Sequence, residues 1–181
     1  MNKRVFIAVN LPNEIKKTIF ENFSLKIPKN ECKIVKEENL HITLKFLGYL
    51  SEEKIGEIKE KMKELKNFEA FKIKLNKIGS FGNRVIWIGI KEGSKELKEL
   101  SEKLNALLEL SDEKFHAHIT IARNKKLNAK QVKELIEKLN KEKSHYQRCA
   151  SVSTVETVDL MESKLSSAGP NYSTIFKVKF K

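Results

Sequence analysis

The sequence predicts an α+β fold: one bilobal domain over residues 1–181, with mainly antiparallel sheets lining a central groove and helices outside. Three observations carry that expectation. Helix-period and strand-period segments interleave twice along the chain. Each half holds one strand-like run built on a matching tetrapeptide, His41-Ile42-Thr43-Leu44 and His118-Ile119-Thr120-Ile121, 118 − 41 = 77 residues apart. No low-complexity stretch or flexible linker divides the halves, and 181 residues suit one domain or two small lobes sharing an interface. Beyond the tetrapeptide the halves share little sequence, so internal duplication is an expectation that rests on the motif.

Arg4–Asn10 is apolar and reads as a first strand. With Met1-Asn2-Lys3 before it, the run opens like a secretion signal, but it is too short for one and charge soon follows. Leu11-Pro12-Asn13-Glu14 starts a helix with Ile15, Ile19 and Phe23 on one side. Cys32–Val35 is a short strand and Leu40–Leu47 a strong one, closed by Gly48. Ser51 caps a helix running through Lys66, with Ile55, Ile58, Met62 and Leu65 at helical spacing. Phe68–Ile78 alternates, placing Phe71, Ile73 and Leu75 on one face. Gly79-Ser80-Phe81-Gly82-Asn83 then reads as the turn of a hairpin whose return strand is Arg84–Ile90. Gly93-Ser94 opens a second long helix with a stripe of Leu97, Leu100, Leu104 and Leu107/Leu108. Ala117–Ala122 is the second motif strand. Asn128, with Gln131 three residues on, has the form of a capping box for a helix ending near Lys141. Val152–Met161 alternates as one strand. Ser166-Ser167-Ala168-Gly169-Pro170 is a turn, and Thr174–Phe180 the last strand.

Composition narrows the function classes. No apolar run approaches 18 residues, so no membrane span is expected, and the default location is the cytoplasm. Lys+Arg exceed Asp+Glu by 36 − 24 = +12. A surface of that sign attracts polyanions and releases their counterions, which makes nucleic acid the expected partner. Lys/Glu enrichment with only two Gln (Gln131, Gln147) equally suits a thermophile. Cys32 and Cys149 show no metal-ligand spacing and read as reduced thiols.

The chemistry sits in the repeated tetrapeptide. Residues i and i+2 of a strand share a face, so each run projects an imidazole and a hydroxyl side by side. With four His and six Thr in the chain, two such pairs arise by chance in roughly one shuffle in 150. Imidazole changes charge near neutral pH, so one ring can act as base while a second acts as acid. Two imidazoles facing each other across a cleft suit cleavage of a phosphodiester. Thr43 and Thr120 share those faces and are placed to bind nonbridging phosphoryl oxygens. Arg123, which closes the second strand, is a candidate for stabilising charge on the same oxygens. His116 would share the His118 face in a continuous strand, or else sit in the loop before it. His145 reads as solvent-facing and Trp87, between Ile86 and Ile88, as packing.

Taken with their flanks, these segments resemble the two-histidine (2H) phosphoesterases, and within them the 2′-5′ RNA ligase or RNA 2′,3′-cyclic phosphodiesterase family. The similarity runs almost end to end: Arg4–Val9, Asn39–Gly48, Gly79-Ser80-Phe81 with Arg84–Gly89, Phe115–Arg123, and Leu160–Ser163 with Gly169–Tyr172. One departure is Ala117, where the family commonly has Pro. The resemblance implies a bilobal fold with a pseudo-twofold axis. It implies hydrolysis of RNA 2′,3′-cyclic phosphate ends to 2′-phosphates with no metal or other cofactor, and joining of tRNA halves through a 2′-5′ linkage in some members. It further implies His41 as proton donor, His118 as proton acceptor, and Tyr172 as a nucleotide-binding residue at the groove edge. The expected partner is RNA with cyclic-phosphate ends, tRNA halves among the candidates, and the expected state a monomer.

Three other readings stay open on the residues alone. His116-Ala117-His118 with His41 has the donor count of a three-histidine zinc hydrolase, but that leaves both threonines without a role. A noncatalytic RNA-binding module would use the charge but not the paired motifs. An esterase for small cyclic nucleotides would use the same chemistry on a smaller substrate.

Overall fold

The computed structural model describes residues 2–111, 114–142, 152–167 and 169–181. His145 and Cys149 lie outside the described residues. The described strands are β1 (Lys3–Asn10), β2 (Cys32–Ile34), β3 (His41–Leu50), β4 (Phe71–Phe81), β5 (Val85–Ile90), β6 (His118–Asn124), β7 (Val152–Val155), β8 (Thr157–Ser166) and β9 (Gly169–Lys179). The helices are α1 (Asn13–Asn22), α2 (Glu52–Met62), α3 (Ser94–Leu108) and α4 (Ala129–Glu142).

Eight strands form one antiparallel path, β7-β4-β5-β6-β3-β1-β8-β9, with β2 added beside β6. The path is symmetric about its middle. β3 and β6 carry the motifs, β1 and β5 flank them, and β8 and β4 come next. The two expected sheets are therefore the halves of one continuous sheet. They join through a single described pair, Ile42 opposite Ile119, and the pseudo-twofold axis passes through it.

The apolar side of the sheet faces the helices. Ile42, Leu44, Ile119 and Ile121 lie in one core cluster with Ile19 of α1, Ile55 and Met62 of α2, Leu97, Leu100 and Leu104 of α3, and Val132 of α4. Ile42 and Ile119 are fully buried, and burying such a side chain contributes about 1.5–3 kcal/mol. The other side of the sheet is the groove. Phe6, Ala8 and Met161 form a small buried cluster there, with Tyr172 packed against it.

The caps follow the sequence. The Ser51 hydroxyl accepts from Lys54 N at 3.2 Å. The Asn128 carboxamide oxygen accepts from Gln131 N at 3.0 Å, and the Gln131 side-chain oxygen accepts from Asn128 N at 2.9 Å, a complete capping box. Several expectations change: the helix expected through Lys66 ends at Met62, the last strand begins at Gly169 rather than Thr174, and two further changes have clear causes. Val152–Met161 is two strands rather than one, interrupted at Glu156: β7 pairs with β4, while β8 crosses to the other half to pair with β1. The carbonyl of Glu156 accepts instead from Phe180 N at 2.8 Å. Gly79 is not a turn residue either. It lies inside β4, opposite Trp87, because the indole covers it: a Cβ at Gly79 would come within 2.5 Å of the ring.

Candidate active site

Carrying the Ile42–Ile119 register one residue each way sets His41 opposite Thr120 and Thr43 opposite His118. All four side chains leave the sheet on the face away from the core. The two histidines are then diagonal neighbours across the seam, with Cα atoms about 7–8 Å apart. They are close enough that the charge of His118 is among the effects that hold the His41 pKa down.

Backbone carbonyls fix both rings. His41 Nδ1 donates to the Asn39 carbonyl oxygen at 2.7 Å, and His118 Nδ1 donates to the His116 carbonyl oxygen at 2.6 Å. A carbonyl only accepts, so Nδ1 holds the hydrogen and each neutral ring offers Nε2 as a base. The Thr43 hydroxyl donates to His41 Nε2 at 2.9 Å. The turn that supplies the Asn39 carbonyl is tied down twice. Asn39 Nδ2 donates to the Pro170 carbonyl at 2.8 Å, and the buried Lys16 Nζ donates to the Glu38 carbonyl at 2.9 Å.

The surroundings of the two rings differ. His41 packs against Phe6 (ring centroids 5.1 Å) and stands edge-on to Tyr172 (5.3 Å). Burial, reinforced by the Lys16 ammonium, pushes its pKa down to about 4 despite the opposing hydrogen bond to Asn39. His118 sits in a wall of Phe81 (4.9 Å), His116 (5.8 Å) and Trp87 (6.2 Å). Burial also lowers its pKa, with the charges of His116 and Arg123 adding to the effect. Beside His41, the fully buried Asp159 accepts from Asn10 Nδ2 at 2.7 Å and Thr174 Oγ1 at 3.3 Å, fixing Asn10 opposite His41.

Arg123 reaches this face through a β-bulge. Strict alternation would turn residue 123 inward with Ile119 and Ile121. Instead Ile121 and Ala122 together oppose the single Ile86, both are fully buried, and Arg123 emerges opposite Val85 on the groove side. Its charge acts on both His118 and Tyr172, so it lies where the two halves face each other. The other half repeats the device. Leu44 and Lys45 oppose Ile7, and Phe46 emerges opposite Phe6 at the position equivalent to Arg123.

The groove thus brings together His41, Thr43, His118, Thr120, Arg123 and Tyr172. Burial raises the Tyr172 pKa, so its hydroxyl stays protonated near neutral pH. Trp87 is corrected from packing to groove wall, because it lies opposite Thr120 rather than on the core face of Ile86 and Ile88. His116 is in the loop before β6 and packs at a tilt against Trp87, ring centroids 4.6 Å apart. Phe6 and Phe81 are groove residues that the sequence reading missed, and Lys16 of α1 is a charge acting on His41 that it also missed. For Phe6 a signal existed: β1 is apolar on both faces, which marks a strand covered on two sides. Among the described residues, no three His, Cys, Asp or Glu side chains group as metal ligands.

A model of the 2′-5′ RNA ligase superfamily matches residues 12–164. The chain belongs to that superfamily. It is 35% identical over 182 residues to the RNA 2′,3′-cyclic phosphodiesterase of Archaeoglobus fulgidus, covering 95% of this chain and 97% of the relative. It is 39% identical over 142 residues to that of Methanocaldococcus jannaschii, covering 75% and 80%. The fold matches Escherichia coli LigT complexed with 3′-AMP at a TM-score of 0.80 and 22% identity, over 100% of this chain and 99% of that one. No described helix is long and apolar enough to cross a membrane.

Proposed function

We propose that the chain hydrolyses RNA 2′,3′-cyclic phosphate ends to 2′-phosphates by acid–base catalysis between His41 and His118. The observation that carries this is the pairing of two imidazole–hydroxyl sets on one groove face, related by a pseudo-twofold axis and one diagonal apart. Relatives that share most of the chain's length and are named RNA 2′,3′-cyclic phosphodiesterases support the same reading.

In the proposed step the neutral Nε2 of His118 takes a proton from water as the water oxygen bonds to phosphorus. The P–O3′ bond breaks, and protonated Nε2 of His41 donates to the leaving O3′. Thr43, Thr120 and Arg123 hold the nonbridging oxygens, and Tyr172 with Phe6 flanks the nucleoside on the His41 side. Burial keeps the empty His41 neutral, so the anionic phosphodiester draws the proton onto that ring as it binds. A 5′-hydroxyl in place of water gives a 2′-5′ linkage by the same bond changes, so joining of RNA ends, tRNA halves included, belongs to this proposal. The enzyme works as a cytoplasmic monomer and needs no metal.

The test is incubation with an oligoribonucleotide ending in 2′,3′-cyclic phosphate, with and without EDTA. The expected product is a 2′-phosphate in both. A 3′-phosphate, or loss of turnover with EDTA, overturns the mechanism. A cyclic substrate with sulfur at the 3′ bridge, whose leaving group needs no proton, should restore turnover to His41→Ala and not to His118→Ala. The opposite pattern reverses the two roles.

A further inference from the structure

Beyond the wall of His118 lies a cavity of about 300 Å³ that hydrolysis of a terminal nucleotide leaves unused. Its lining includes the aromatic residues Trp87, His116 and Phe115 and the polar residues Asn76, Ser94 and Lys98. This is the chemistry of a nucleoside site: flat faces for a base, an amide and a hydroxyl for its edge and sugar, and a cation for phosphate. The indole is seated on purpose-built space. It lies over Gly79 and Gly89, where added Cβ atoms would come within 2.5 and 3.2 Å of it. Among the described residues Lys98 pairs with the exposed Glu102 at 3.5 Å, a contact that an incoming phosphate can replace.

The position of the cavity says which nucleoside it takes. The rings of His116 and Trp87 that line it are also the rings beside His118. In an in-line displacement the groups on the base's side are the attacking group and whatever carries it. We propose that this cavity seats the first nucleoside of an RNA strand with a free 5′-hydroxyl and delivers that hydroxyl to His118 in place of water. The inference rests on the proposed roles of the two histidines. The O5′–P bond forms, the P–O3′ bond breaks, the 5′-hydroxyl proton passes to His118 Nε2, and His41 protonates O3′. No further reactant is required.

Trp87 is the only tryptophan in the chain, so its fluorescence reports occupancy of the cavity. The full-length protein is titrated with the dinucleoside monophosphate ApA, which has a 5′-hydroxyl and no cyclic phosphate. The expected result is a saturable change in emission. Lys98→Glu or Asn76→Ala should weaken binding about tenfold, the effect of losing one charge-assisted or well-placed hydrogen bond. Either variant should slow joining of ApA to a cyclic-phosphate end by a similar factor, while hydrolysis of a cyclic mononucleotide stays unchanged. The inference is overturned by no emission change at millimolar ApA, or by binding indifferent to both substitutions. Emission that responds to the cyclic mononucleotide, with ApA merely competing, also overturns it and assigns the cavity to the cyclic end. Failure of the proposed function itself reads differently, as absence of cyclic-phosphate turnover in an assay that involves no tryptophan signal.

Discussion

His41 should make the protein less stable in acid, by an amount its surroundings set. Its pKa is about 4 in the folded protein, mainly through burial, against about 6.5 for an imidazole in water. Between those values the unfolded chain binds a proton that the folded chain refuses. The contribution of His41 is therefore fully present above pH 6.5 and is lost as the pH falls toward 4. Working the two titrations from pH 7 to pH 4.5 gives a loss of about 2–3 kcal/mol, toward the lower end because the ring keeps some contact with solvent. The perturbation is His41→Asn, which removes the titrating ring and keeps a side-chain donor for the Asn39 carbonyl. Urea denaturation at both pH values, for both proteins, isolates the term from carboxylates and the other histidines. The variant should lose less stability on acidification than the wild type, by about that 2–3 kcal/mol. Equal pH dependence within about 0.5 kcal/mol would refute the idea that burial holds this ring neutral.

His41→Ala and His118→Ala should each lower kcat/KM by about 10²–10⁴-fold without change in circular dichroism, and the double variant should be little worse than either. Because both ring pKa values are lowered, one protonated and one neutral ring coexist only below the ordinary imidazole range. A pH–rate profile of kcat/KM should accordingly peak on the acid side of 6.5 and fall as pH rises through neutrality. Arg123→Ala should lower kcat by about 10²-fold, as for loss of one donor to a charge-bearing oxygen, and Arg123→Lys should recover only part. If the +12 charge serves RNA, a long RNA should bind with a much steeper salt dependence than a dinucleotide cyclic phosphate, by a slope of about −0.7 per neutralised phosphate. Equal slopes would make the lysines a general coat.

What the sequence disclosed follows from what period-2 patterning can carry. His41 with Thr43 and His118 with Thr120 need only the alternation of a strand to share a face, and the register across Ile42–Ile119 keeps them together. The same rule misleads at Arg123. Alternation sends it inward, and only the doubling of Ile121 and Ala122 against Ile86 turns it out. A bulge leaves no mark in hydrophobicity, since both of its residues are apolar. The break at Glu156 was hidden for a related reason: the alternating pattern runs straight through it, while the change of partner from β4 to β1 is decided by tertiary pairing. Trp87 and Gly79 were misread together. A glycine beside a serine looks like a turn unless the ring lying over it is known.

The strand order also says when each part of the groove comes into being. Apart from the short β2, the half that holds His118 is made from the middle of the chain, β4 to β7, and is nested within a half whose strands come from both ends. β1 waits for β8 as its outer neighbour, and β9 closes that edge last. On a ribosome adding about 5–20 residues per second, the surroundings of His118 can assemble while Met161 and Tyr172 are still unmade. Phe6, on one side of His41, is among the first residues synthesised, whereas Tyr172, which stands edge-on to the ring, is among the last, so a nascent chain carries both histidines well before the surroundings of the first are complete. Truncation after β7 should yield a protein with the motifs and with Phe6 but without Tyr172 and the β8–β9 pair that complete the His41 side of the groove.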